Sequence, residues 1–151
     1  MNQEAKDKLY EALTKLNKTQ FKALFAIIAH YWCEYRYFIS DQNFLNLWCE
    51  LNALCHELDE SFPDPCDDHK LVKDYCQAHP FYFIDMLQPK IVINLFCQYF
   101  NDRLDILAII AQKLHDEDLR DAYAYANEVL GLDEDISELA ATTEEHVATL
   151  N

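Results

Sequence analysis

Glycine is nearly missing from this chain of 151 residues, which has one, Gly131. A phosphate-cradling Walker loop and a dinucleotide-binding fingerprint each need several glycines at fixed spacing, so both are excluded. Tight β-hairpins also draw on glycine for their turns. Proline is scarce as well, with four. Few helix breakers beside abundant Leu, Ala, Glu and Asp point to helices. Basic residues are the second shortage: 12 Lys and Arg face 27 Asp and Glu, a net charge of −15. That balance argues against direct nucleic-acid binding, which relies on cations neutralising phosphates. An anionic membrane repels such a surface for the same reason. Long apolar runs are absent too. Uncharged stretches such as Ala23 to Cys33 fall far short of the about 20 residues a spanning helix needs. Met1 to Lys8 is polar, with no apolar core of a secretory leader. The expectation is a cytoplasmic protein whose six cysteines are reduced thiols, several of them small hydrophobes in apolar company.

What the chain does have is core-forming material: 51% of its residues are hydrophobic and 13% aromatic. This length suits one domain, residues 1–151, burying about 68–70% of its unfolded surface. The stretch from Pro89 to Leu114 reads as a central helix. Proline fits the first helical position. Leu95, Phe96, Tyr99, Phe100, Leu104, Leu107, Ile110, Ala111 and Leu114 follow near helical period. Ile91, Ile93, Ile106 and Ile109 widen the stripe until other helices must surround it. Only Asn101, Asp102, Arg103 and Asp105 interrupt it. A second strong helix runs from Lys18 to about Phe38. The predicted fold is all-α, one domain, a bundle of six to eight helices around a buried central helix.

The other elements follow from start and stop signals. A first helix spans about Gln3 to Leu16. Asn17 and Gln20 match a capping box, and Ser40 to Asn43 opens a third helix to about Leu58. Asp59 to Asp68 is a loop with two prolines and five acids. A short helix covers about Asp68 to Ala78, and Pro80 to Gln88 forms one or two helical turns or a strand. Asp116 caps the next helix, Gly131 closes it, and Asp135 with Glu138 caps the last.

Charge is uneven along the chain. Residues 1–39 balance at +2, residues 40–100 at −7 and residues 101–151 at −10. Within the last third, Leu119, Ala122, Tyr123, Ala126, Val129 and Leu130 form a predicted buried side. Asp118, Asp121, Tyr125 and Glu128, spaced three, four and three apart, share the opposite face. Carboxylates accept Arg bidentately and Tyr supplies amphipathic contact area. These four are the leading partner-binding candidates, with Asp133, Glu134 and Asp135 nearby and Asp102 and Asp105 as a second set. The competing explanation is local: acids in a first helical turn offset the helix dipole by about 0.3–1 kcal/mol each. Asp121 and Glu128 lie beyond that turn.

Two further constellations carry chemistry. Cys66, His69, Cys76 and His79 form two C-x-x-H units, a conceivable zinc set. The spacing matches no common finger, and His69 and Cys76 stand about 10 Å apart along one predicted helix. A small zinc- or thiol-dependent regulator or enzyme is the alternative they keep open. Catalysis lacks a motif: there is no glycine-supported elbow, no His-Glu-x-x-His and no Glu-x-x-His. No catalytic residue and no cofactor are therefore assigned, and the chain is read as a non-enzyme. The run Tyr31 to Phe38 is a thick core helix, with Tyr31, Trp32, Tyr35 and Phe38 inward and Tyr37 with Glu34 nearer the surface. A helical homo-oligomeric module without chemistry is the remaining alternative.

In size, acidity and compartment the chain resembles the small cytoplasmic immunity proteins that bacteria use against nuclease toxins. The resemblance is one of overall profile and rests on no motif. It implies that carboxylates cover a cationic active site on a basic protein partner, with association steered by charge.

Overall fold

The computed structural model describes residues 3–60 and 81–149. Among them lie eight helices: α1 (Gln3–Thr14), α2 (Lys18–Tyr35), α3 (Asp41–Leu58), α4 (Tyr82–Met86), α5 (Pro89–Tyr99), α6 (Leu104–Asp116), α7 (Leu119–Leu130) and α8 (Ile136–Thr149). No strand occurs among the described residues, so the all-α expectation holds. Pro80 to Gln88, open to helix or strand by propensity, contributes α4. The predicted helix over 68–78 lies outside the described residues.

Local chemistry sets most helix ends. Asn17 Oδ1 accepts the Gln20 N–H at 2.8 Å while Gln20 Oε1 accepts the Asn17 N–H at 3.0 Å, a complete capping box at the start of α2. Ser40 Oγ accepts the Asn43 N–H at 3.2 Å at the start of α3. Gly131, at φ 70°, takes the left-handed position that closes α7. Asp135 accepts the Ser137 N–H at 3.0 Å ahead of α8. One cap differs from expectation. Asp118, not Asp116, starts α7, accepting the Asp121 N–H at 2.9 Å, so Asp121 falls in the first turn after all and only Glu128 lies beyond it. Asp116 ends α6 instead, held by Gln112 at 2.6 Å and the His115 ring at 2.7 Å.

The larger correction concerns Pro89 to Leu114. It is two helices, α5 and α6, separated at Phe100 to Arg103. Its polar band does the breaking. Asn101 Oδ1 accepts the Ser40 N–H at 3.1 Å and Asp102 Oδ2 accepts the Phe38 N–H at 3.3 Å. The backbone N–H groups of Asn101 and Asp102 both donate to the Phe38 carbonyl, at 3.2 and 3.1 Å. Such side chains offer backbone groups a partner outside the helix ladder. The break and the α2–α3 turn thus hold each other. Phe38 (φ 79°) and Arg103 (φ 54°) sit there in left-handed backbone that non-glycine residues seldom adopt. Ile91 and Ile109, expected to be enclosed, are 38% and 43% exposed.

The true centre is α2. It packs on α4, α6 and α8, and its rings reach three more helices. Trp32 stacks on Phe44 of α3 at 3.8 Å, Phe21 meets Phe96 of α5 at 5.4 Å, and Tyr31 meets Tyr123 of α7 at 6.1 Å. Phe44, Trp48 and Phe25 continue the stack at 4.7 and 5.0 Å. Pairs of this kind contribute about 0.5–1.5 kcal/mol beyond their buried area. Lys22 of α2, 2% exposed, places its ammonium 3.0 Å from Asp85 and so ties down α4. The helix ends at Tyr35, and Tyr35 is 37% exposed rather than inward. It stacks on half-buried Tyr37, which carries the Arg103 guanidinium 4.3 Å above its ring.

Candidate protein-binding interface

The helices α6 and α7 are joined by Glu117 and Asp118 and pack against one another, as a short connection requires of antiparallel neighbours. Their inner sides are apolar: Leu107, Ile110, Ala111 and Leu114 on α6, Leu119, Ala122, Tyr123 and Ala126 on α7. The helical period then turns Asp118, Asp121 and Glu128 outward, and all three are exposed. Tyr125 lies half-buried between the two helices, with the Lys113 ammonium 5.5 Å from its ring centre. Lys113 in turn meets Glu117 at 3.5 Å.

The electrostatics show which acids share this face. Burial raises the Tyr125 hydroxyl above its ordinary pKa, Asp105 and Glu128 add to the rise, and Lys113 opposes it. Asp105 lies on the same line of α6 as Lys113, which reaches the Tyr125 ring, so it joins the α7 set across the helix pair. Partial desolvation also raises the Asp121 carboxyl, with Asp118 and Glu117 beside it reinforcing the shift. Asp105, Asp118, Asp121, Tyr125 and Glu128 thus make one negative surface. At its Asp118 end opens a cleft of about 320 Å³, walled by Ala23, Leu114, Leu119 and Val147 with Glu144 on its rim.

The remaining predicted acids stand elsewhere. Asp102 serves the backbone of Phe38 and lies 3.9 Å from Arg103 Nε, so the proposed Asp102–Asp105 pair divides between two jobs. Asp133, Glu134 and Asp135 follow α7 at its far end, about 18 Å along the axis from Asp118. Glu134 is not a surface acid. It is half-buried, with its two oxygens 3.1 and 3.2 Å from His30 Nε2, and it accepts the Tyr35 hydroxyl at 3.1 Å. Asp135 is a cap and Asp133 is exposed.

Four members of the face differ from the sequence expectation or are absent from it. Ile109 and Val129, assigned to buried sides, are exposed, and Lys113 with Glu117 was not singled out. A signal existed in the spacing: Ile109 is four residues from both Asp105 and Lys113, and Val129 is four from Tyr125.

Cys66, His69, Cys76 and His79 lie outside the described residues. Among the described residues no three His, Cys, Asp or Glu side chains cluster as a metal site. Burial pushes the thiols of Cys55 and Cys97 up to about 11, away from the nucleophilic thiolate. No described helix is long and apolar enough to cross a membrane. No family model, curated protein or solved structure matches the chain.

Proposed function

We propose that this chain is an acidic cytoplasmic binding protein that covers and neutralises a basic surface on a partner protein, acting as an immunity protein against a nuclease-type toxin. The observation that carries this reading is the shared face of α6 and α7. It gathers Asp105, Asp118, Asp121 and Glu128 around Tyr125 on a rigid two-helix support. The cation nearest its centre, Lys113, is already engaged by Glu117. Asp121 in particular is penalised for its charge in the free protein, by partial desolvation and by repulsion from Asp118 and Glu117. A guanidinium arriving from a partner relieves that repulsion and donates paired hydrogen bonds to the carboxylate. The net charge of −15, of which −10 falls in residues 101–151, attracts a cationic protein before contact. The mechanism is occlusion: carboxylates occupy the positions that phosphates would take in a nuclease cleft, and no chemistry is performed.

The test is the association rate with basic nuclease toxin domains at low and at moderate ionic strength, together with their nuclease activity. Fast, salt-sensitive association and blocked cleavage are expected. Binding indifferent to salt would sink the electrostatic account. Salt-sensitive binding that leaves cleavage intact would remove the immunity role and keep only the binding role.

A further inference from the structure

Charge alone does not account for the whole of the α6–α7 face. Ile109 is 43% exposed and Val129 40% exposed, on helices whose other sides bury nearly every large apolar residue. Asp105, Ile109 and Lys113 run four apart along one line of α6, and Asp121, Tyr125 and Val129 run four apart along one line of α7. The Lys113 ammonium above the Tyr125 ring sets the two lines side by side. The outer surface of the pair is therefore a shallow groove with an apolar seam, Ile109, Tyr125 and Val129. Asp105, Asp121 and Glu128 rim it. Apolar area concentrated in one place and edged by charge marks a contact surface.

Resting on the basic-partner reading above, we infer that this groove docks a basic amphipathic helix. The helix lays its apolar side on Ile109, Tyr125 and Val129 and turns Lys or Arg toward the carboxylate rim. Complementarity selects this occupant over the others. A second copy of the chain presents the same carboxylates and is repelled. Nucleic acid is repelled for the same reason. A flexible basic segment satisfies the rim and leaves the seam wet, whereas a helix with apolar residues at three- and four-residue spacing satisfies both. The dimensions agree: α6 and α7 have 13 and 12 residues, a groove about 18–20 Å long that accommodates three to four turns. A third helix settles between two antiparallel ones at the ordinary interaxial distance of about 8–10 Å.

The experiment is fluorescence anisotropy of the full chain with two labelled peptides of about four turns. One is a Leu/Lys sequence patterned as an amphipathic helix. The other is its scramble, equal in composition and charge. The patterned peptide is expected to bind roughly tenfold more tightly than the scramble, and to lose roughly tenfold in the Ile109→Ser, Val129→Ser variant with its melting temperature unchanged. Equal binding of both peptides overturns helix docking and leaves the basic-partner reading standing. Failure of both peptides to bind even at low salt overturns the two together. Patterned binding that survives Ile109→Ser, Val129→Ser and is lost in Asp121→Lys, Glu128→Lys shows a purely electrostatic face and overturns the seam. Patterned binding that survives both variants overturns the placement.

Discussion

The two ends of α7 carry acidic clusters that look alike in sequence and behave in opposite ways. At its start, Asp118 and Asp121 stand exposed with Glu117, and partial desolvation, reinforced by these neighbours, raises the Asp121 carboxyl. Beyond its end, Glu134 is half-buried and bonded to His30 and Tyr35 of the central helix. In the first cluster one cation, Lys113, engages Glu117 and faces Asp121, so three carboxylates outnumber it and a partner's cation can relieve the excess. The second has already found its partners inside the molecule, and it serves the fold. Beneath it lie Tyr31, whose hydroxyl donates to Asn127 Oδ1, and Tyr123, bonded to Thr143 at 2.7 Å. Acidic residues thus signal recognition where the fold leaves carboxylates in excess of the cations beside them.

The strongest way to probe the Glu134 end is alkaline pH. Burial pushes Tyr123 up to about 12 and raises Tyr31 further. A phenol with a raised folded pKa contributes stability that is complete below its unfolded value of 10.0 and is lost as pH climbs through the folded value. Urea unfolding should therefore weaken between pH 10 and about 12, on the order of 2–3 kcal/mol from Tyr123 alone. A flat profile across that window would remove the buried tyrosines as the root of this end. Next in size, Glu134→Ala deprives His30 and Tyr35 of their acceptor and should cost about 1–2 kcal/mol by the same measurement. It should leave the on-rate of a basic partner unchanged. A slowed on-rate with intact stability would reverse the contrast between the two clusters.

The Asp118 end should respond the other way. Asp121→Lys with Glu128→Lys should slow association with a basic partner by about tenfold at low salt, with little change in melting temperature. Stopped-flow kinetics decides this, and an unaltered rate would mean that the partner lands elsewhere. The smallest effect belongs to Asp121→Asn. Because its folded carboxyl is raised, the ionised form is the penalised one, and the penalty is present above the carboxylate range. The amide should raise stability slightly at neutral pH, and the gain should vanish as pH falls through that range. A loss of stability at neutral pH would show that Asp121 supports the fold after all.

Some of this was legible in the residues. Asn17 with Gln20, Ser40, Gly131 and Pro89 mark helix ends correctly, because each acts on groups within four residues of itself. The three-four-three spacing of Asp118, Asp121, Tyr125 and Glu128 also gives one face, since the helical period alone decides it. Glu134 could not be sorted the same way. Its partner His30 is 104 positions away, and nothing in the local pattern distinguishes it from Asp133. Ile109 and Val129 are exposed although apolar, because apolar character does not by itself imply burial, and their four-residue spacing from Asp105 and Tyr125 puts them on the outer line.

By itself the sequence determined a helical chain, its caps and the sign of its charge, all consequences of composition and of contacts a turn or less apart. Only the tertiary structure decided that Pro89 to Leu114 breaks at Asn101 to Arg103, because the groups that capture the break, Phe38 and Ser40, arrive from more than 60 positions away. It also decided that α2 is the centre and which carboxylates find their partners inside the molecule. Both depend on what packs against a side chain, and helical periodicity reports only which way that side chain points.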